Sequence, residues 1–227
     1  MLPEFSNSVL VVGESGTGKS TSLRNLDWSQ TFLINVLNKP LPWKNSNSNF
    51  RSSKSDKSKF NYFSSDSIAR VIECIEYIKN KRPDIKVVVI DDFQYLMGHA
   101  FLHRCTEVGY KKFSEIQFDA WKALSALHAL PSDKFSFVLC HEETTAEGAK
   151  KAKTLGKMLD SHASLEGTFT YVLHSAARDG EYNFITQNDG VRICKTPMGL
   201  FKSNVIQNDL NFVMEEIKKY SGTTKEE

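Results

Sequence analysis

No apolar run in the sequence approaches the roughly 18 to 20 residues that crossing a bilayer takes, so a membrane-spanning helix is not expected. The opening Met-Leu-Pro-Glu-Phe-Ser has neither a basic stretch nor a long apolar core, and no secretory signal is expected from it. Cysteine is scarce and scattered. Cys74, Cys105, Cys140 and Cys194 form no Cys-x-x-Cys pair, which argues against a zinc ribbon or disulfide framework and fits a reducing cytosol. An excess of one charge is also missing: 29 Lys and Arg stand against 27 Asp and Glu, a formal net charge of +2. That excludes a general polyanion binder, and any electrostatic footprint must be local. No internal repeat is visible. What remains, 40% apolar and 25% charged over 227 residues, is the make-up of one globular domain spanning 1–227.

Short apolar runs recur along the chain at residues 9–13, 31–36, 86–90, 135–140 and 169–174, each the length of a buried strand. Amphipathic patterns fall between some of them. Ile68, Val71, Ile72, Ile75 and Ile78 repeat at three and four, with Ser64, Ser65 and Asp66 as available caps. Phe113, Ile116, Ala120, Leu124, Leu127 and Leu130 do the same until Pro131. This predicts an α/β fold with a mostly parallel central sheet and helices on both faces. After Asp179-Gly180, the runs 182–186 and 191–194 flank Asn188-Asp189-Gly190 and predict a C-terminal antiparallel hairpin extension. A last helix is expected from Asp209, fraying over 219–227. Residues 44–59 hold six Ser, three Asn and five Lys or Arg, too little apolar surface to offset ordering, so 44–63 reads as a mobile basic loop.

One motif carries chemistry. Gly13-Glu14-Ser15-Gly16-Thr17-Gly18-Lys19-Ser20 matches G-x-x-x-x-G-K-[ST] without a gap, directly after an apolar run and before a helical stretch, Thr21–Leu26. Glycines let the backbone wrap phosphate oxygens, and the amides through Thr21, with the helix N-terminus, supply positive potential. Lys19 is expected to reach the β- and γ-phosphates of ATP, and the Ser20 hydroxyl to ligate Mg2+. The run ending in Asp91-Asp92 supplies the companion carboxylates: Asp91 on the metal side, Asp92 polarising water or capping the next turn. His141 ends the fourth run, where a polar side chain faces a nucleotide as a γ-phosphate sensor, or is an ordinary strand end. Residues 142–168 read as a long loop whose Lys150, Lys151, Lys153 and Lys157, with no acid in 149–157, suit a phosphate backbone such as single-stranded DNA.

Taken together, GESGTGKS, FLINVLNKPLPW, VVVIDDFQYLM, FVLCHEE, KTLGKMLD and RICKTPMGLF resemble the core-only, RecA-like P-loop ATPases of bacteriophages, of the single-strand annealing and recombination type. The resemblance covers roughly residues 8–202. It implies a RecA-like core, self-association into a ring or filament with ATP at subunit interfaces, and work in the cytoplasm of a phage-infected bacterium beside recombination or replication proteins. It implies DNA loops at 142–157 and within 95–113, and a role for Lys195 on the neighbouring subunit's γ-phosphate. One departure stands out: Leu37 occupies the place of the water-activating glutamate of RecA, so Asp92 or the 142–143 pair must serve, or hydrolysis is slow. Only about eight residues precede the first strand, so the N-terminal segment RecA uses for assembly is not expected.

The leading expectation is therefore a Mg2+-dependent ATPase that binds single-stranded DNA as an oligomer. A small-molecule kinase with 44–63 as its lid is the alternative, weakened because Arg51 is the only arginine in that segment. A nucleotide-gated binding module with negligible hydrolysis is the third.

Overall fold

A strand buried on both faces is mostly apolar, and the middle of β1 (Asn7–Gly13) is: Val9 through Val12 are all buried. The computed structural model describes residues 7–51, 59–155 and 164–222. Around β1 the chain adds β2 (Thr31–Asn35), β3 (Tyr62–Phe63), β4 (Val87–Asp91), β5 (Phe135–Thr144), β6 (Lys150–Ala152), β7 (Tyr171–Arg178), β8 (Glu181–Ile185) and β9 (Val205–Gln207). The sheet order is β3-β2-β4-β5-β1-β7-β8-β9, with β6 on β5. Pairings from β3 to β7 are parallel; β7–β8, β8–β9 and β5–β6 are antiparallel. The fold is thus α/β with a mostly parallel mixed sheet.

Alternate residues of the central strands feed two cores. Leu10, Val12, Ile34, Val88, Ile90 and Val138 meet the helices α1 (Ile68–Lys81), α2 (Gln94–His103) and α3 (Lys111–His128) on one face. Val9, Val11, Leu33, Val89, Phe137 and Leu139 meet α4 (Leu210–Tyr220) and Leu23 on the other. Three of the four helices were readable from their apolar stripes, and α3 ends before Pro131. The missed one is α2. Its Tyr95, Leu96, Met97, Ala100, Phe101 and Leu102 go round the helix instead of down one side, so no helical period shows.

Several other expectations change. The stretch after the glycine turn is only a single 3-10 turn, Ser20–Leu23. The segment 44–63 is anchored where it is described. Phe50 packs edge-on to Trp28 at 5.4 Å and against Tyr62 at 4.7 Å, while buried Asn61 donates to Trp28 O and Asn49 O and accepts from the Arg51 amide. Aromatic packing thus supplies what the Ser-Asn composition lacks; 52–58 lie outside the described residues. The hairpin is β7–β8, turned by Asp179 and Gly180 at φ 54° and 84°, and β8 then pairs with β9. Residues 191–194 do not return along β8. The Asp189 carboxylate accepts from the Val191 and Arg192 amides and turns the chain toward β6 and β7, which it bridges at Arg192 and Lys195. The tail stays helical through Tyr220, and 223–227 lie outside the described residues.

α4 starts at Asp209, whose carboxylate accepts from the amides of Asn211 at 2.9 Å and Phe212 at 3.2 Å. It also accepts from Asn25 at 2.6 Å, tying the helix to the chain behind the glycine turn. Asp209→Ala is expected to cost about 1 kcal/mol through the lost cap. Thermal unfolding should register that as a fall of roughly 2–4 °C.

Candidate functional site

The strand order decides where the chemistry gathers. β5 lies between β1 and β4, so Gly13 at the end of β1 stands opposite His141 on β5, with the end of β4 on the far side. Polar residues released at these three strand ends share one crevice, the usual ligand position in an open parallel sheet. A cleft of about 250 Å³ opens there, lined by the glycine turn, Lys19, Ser20, Thr21, the two aspartates and His141.

The turn is held from below. Ser175 Oγ on β7 donates to Thr17 O at 2.6 Å, and Thr17 Oγ1 donates to Glu14 O at 2.8 Å. Gly13 must be glycine because a Cβ there would lie 2.6 Å from Ser175 O. Gly18 sits at φ 92° with the Tyr182 ring 2.8 Å from where its Cβ would be. Ser15 and Gly16 complete the wall, with a single 3-10 turn and no long helix behind them. The expected contribution of a helix N-terminus is not available from a single 3-10 turn.

Lys19 is 6% exposed, and its Nζ donates to Gly13 O at 2.8 Å and Glu14 O at 2.7 Å. Burial pulls its pKa down, against the pull of Asp92 and Asp91 upward. An ammonium has three donors, so one remains beyond these two carbonyls.

Ser20 Oγ donates to Asp91, 2.9 Å from Oδ2 and 3.1 Å from Oδ1. Asp91 is almost fully buried, and burial followed by repulsion from Asp92 raises its pKa to about 6, with the Ser20 bond opposing. An octahedral Mg2+ with oxygen ligands at about 2.0–2.1 Å has edges near 2.9 Å. The Ser20–Asp91 oxygen pair fits one such edge, and the buried carboxylate has a charge that a cation would neutralise.

Asp92 has a different job. It sits at φ 66°, uncommon for a residue with a Cβ, which turns its carboxylate back over the strand ends. His141 Nε2 lies 3.2 Å from Oδ1, and Lys39 Nζ 3.3 Å from Oδ2. Burial works to raise Asp92, but the His141 contact and Lys39 outweigh it and hold the carboxyl below its usual range. Both oxygens are engaged. Lys39 itself is fixed by Asn35, whose side chain bonds the Lys39 backbone at both N–H and C=O.

The lysine segment is not a long loop. β5 runs on through Thr144, turns, and pairs with β6, setting Glu142 opposite Ala152 and Glu143 opposite Lys151. The acids missing from 149–157 therefore arrive from the facing strand. Lys150 Nζ lies 2.7 Å from Glu142 and 3.1 Å from Glu14, and Lys151 lies 3.1 Å from Glu143. Glu142 is also 2.6 Å from buried His174, whose pKa burial lowers while Glu142 opposes. None of these contacts is aligned as a hydrogen bond to Glu142. Lys153 is exposed, beside Gln94, Tyr95 and Gly98 in a second hollow of about 240 Å³. Lys157 lies outside the described residues.

Lys195 is exposed and bridges Val172 through its backbone; it is not among the residues lining its own chain's cleft. The sequence reading missed Lys39 and Tyr182 as cleft residues. The Lys39 signal was a basic residue just after a strand end. Tyr182 had none, because only the β7–β8 hairpin carries it over Gly18.

Without metal, the sign of the Asp91 linkage is set by its raised pKa. The folded state binds the extra proton between the ordinary carboxylate range and about pH 6, so stability is fully present below that range and lost as pH rises through about 6. Asp91→Asn in chelator-treated protein should therefore stabilise the fold at pH 7.5, by up to roughly 3 kcal/mol, and have little effect near pH 4. Urea unfolding at the two pH values measures it; equal effects at both would contradict the burial argument.

No family model matches the chain and no curated protein matches it, so what this cleft does has to be argued from these side chains and distances.

Proposed function

We propose that the chain binds ATP with Mg2+ in the cleft above β1, β5 and β4 and hydrolyses it slowly. The observation that carries this reading is the convergence of Lys19, Ser20 and Asp91 on one cleft behind a complete glycine turn. Lys19, already desolvated, has a donor left for phosphate oxygens, and the turn amides grip the rest. Bound Mg2+ would neutralise charge on the β- and γ-phosphate oxygens, with Ser20 and Asp91 as its protein ligands.

Slow turnover follows from the carboxylates. Leu37 has no acceptor, Asp92 is held by His141 and Lys39, Glu142 by Lys150 and His174, and Glu143 by Lys151. A carboxylate with a cation or donor already beside it is a weaker base toward an attacking water. Releasing Asp92 requires His141 or Lys39 to turn toward the γ-phosphate, which makes His141 a reasonable sensor.

By the resemblance to RecA-like phage ATPases, we further propose that the chain acts on single-stranded DNA as an oligomer. Exposed Lys195, outside its own cleft, suits a neighbour's nucleotide. The α2–α3 connection, within the segment assigned to the first DNA loop, leaves Tyr110 87% exposed, an aromatic face available for base stacking. Among the described lysines of 149–155, Lys153 is the exposed one.

ATP with Mg2+ should raise the unfolding temperature of the wild type, and Lys19→Ala should lose most of that shift while keeping its fold. An unchanged shift in Lys19→Ala sinks the nucleotide reading. Turnover with and without single-stranded DNA tests the second part: stimulation supports it, and turnover indifferent to DNA argues against it. Lys153→Ala should lower the slope of log DNA affinity against log salt by about 0.7; an unchanged slope moves the contact elsewhere.

A further inference from the structure

Outside the nucleotide cleft, three ligand-type side chains meet on one small patch. His99 and His103 lie four apart on α2, which puts both imidazoles on one helix face. Asp66 comes to them from the other side, on the turn just ahead of Ser67, the residue that precedes α1. His99 Nδ1 and His103 Nε2 each lie 3.4 Å from the same oxygen, Asp66 Oδ2, and the three donor atoms all fall within 4.8 Å of one another. Among the described residues no other group of His, Cys, Asp and Glu meets that condition.

We infer that Asp66, His99 and His103 form a binding site for a divalent transition metal of the Zn2+ class. The distances carry the argument. Ligands at about 2.0–2.1 Å in a tetrahedron stand about 3.3–3.4 Å apart, and both Asp66–His separations are 3.4 Å. Two imidazoles and one carboxylate are a donor set that borderline metals take and that Mg2+ does not favour. Side-chain exposures of 45% for Asp66, 31% for His99 and 70% for His103 leave the fourth position open to water.

The site also has a consequence for the fold. It would tie the middle and end of α2 to the start of α1. α2 begins just after Asp92, and the His99 ring packs against Tyr95 at 6.4 Å, which packs against His141 at 6.0 Å. A metal on His99 therefore restrains the same helix that walls the hollow beside His141.

The test uses untagged protein stripped with a chelator and titrated with Co2+, then Zn2+, in a large excess of Mg2+. One equivalent of Co2+ should bind with the visible absorption of a tetrahedral site, and Zn2+ should displace it. His103→Ala, at an exposed position, should fold normally and lose affinity by roughly 10–100-fold or more. His99→Gln, which keeps a hydrogen-bonding group toward Asp66, should lose it as well. Zn2+ should raise the unfolding temperature of the wild type and not of His103→Ala. ATP affinity should be the same in wild type and His103→Ala, so this result is independent of the nucleotide reading. Equal Zn2+ affinity in wild type and both variants, or displacement by Mg2+, would overturn the site and leave Asp66 as an ordinary hydrogen-bond bridge between two imidazoles.

Discussion

Everything at the cleft depends on one carboxylate that the sheet buries and does not pair with a cation. Asp91 ends β4; among the described residues only the Ser20 hydroxyl hydrogen-bonds its carboxylate, and burial raises its pKa to about 6. Seventy-one positions separate the two residues, so their contact exists only because β1 and β4 run parallel with β5 between them. Lys19 complements that arrangement from the other wall, desolvated and tied to carbonyls instead of to Asp91. Such a site holds opposite charges apart until something charged comes between them. An anion and a cation arriving together would satisfy both walls, which is the physical ground for the metal–nucleotide proposal.

The neighbouring aspartate shows how position separates two identical side chains. Asp91 follows the strand and stays buried; Asp92, one residue on, is turned by a positive φ into contact with His141 and Lys39. One carboxyl is pushed up and the other held down. The pair therefore cannot share a role, and the lower one makes a weak base while His141 and Lys39 remain beside it. The same economy appears in the β5–β6 hairpin, where every carboxylate near the cleft already has a cation beside it.

That hairpin joins the glycine turn to β7 on the other side of β1. Lys150 touches Glu142 and also Glu14 of the turn, and Glu142 touches buried His174 on β7. Backbone pairings run from β1 through β5 and β6, across Arg192 and Lys195, and back through β7 to β1. A closed circuit of this kind resists independent motion of its parts.

Local chemistry made much of this legible in the sequence. Apolar runs of strand length fixed the five long parallel strands, because a strand covered on both faces can hold little else. The stripes of α1, α3 and the last helix after Asp209 were equally plain, since a helix buried on one side must repeat its apolar residues. The glycine turn, Lys19, Ser20 and Asp91 were readable because each occupies a short motif whose spacing has a chemical reason. Other features were decided only by tertiary structure. α2 spreads its apolar residues round the helix and has no clear period to read; the lysines of 150–151 meet acids supplied by a strand that pairs with them; Lys39 and Tyr182 reach the cleft through a turn and a hairpin. Asp66, His99 and His103 likewise come together only where α1 and α2 pack. Sequence records what each segment needs to bury, whereas which charges face one another depends on the register and packing of segments far apart in the chain.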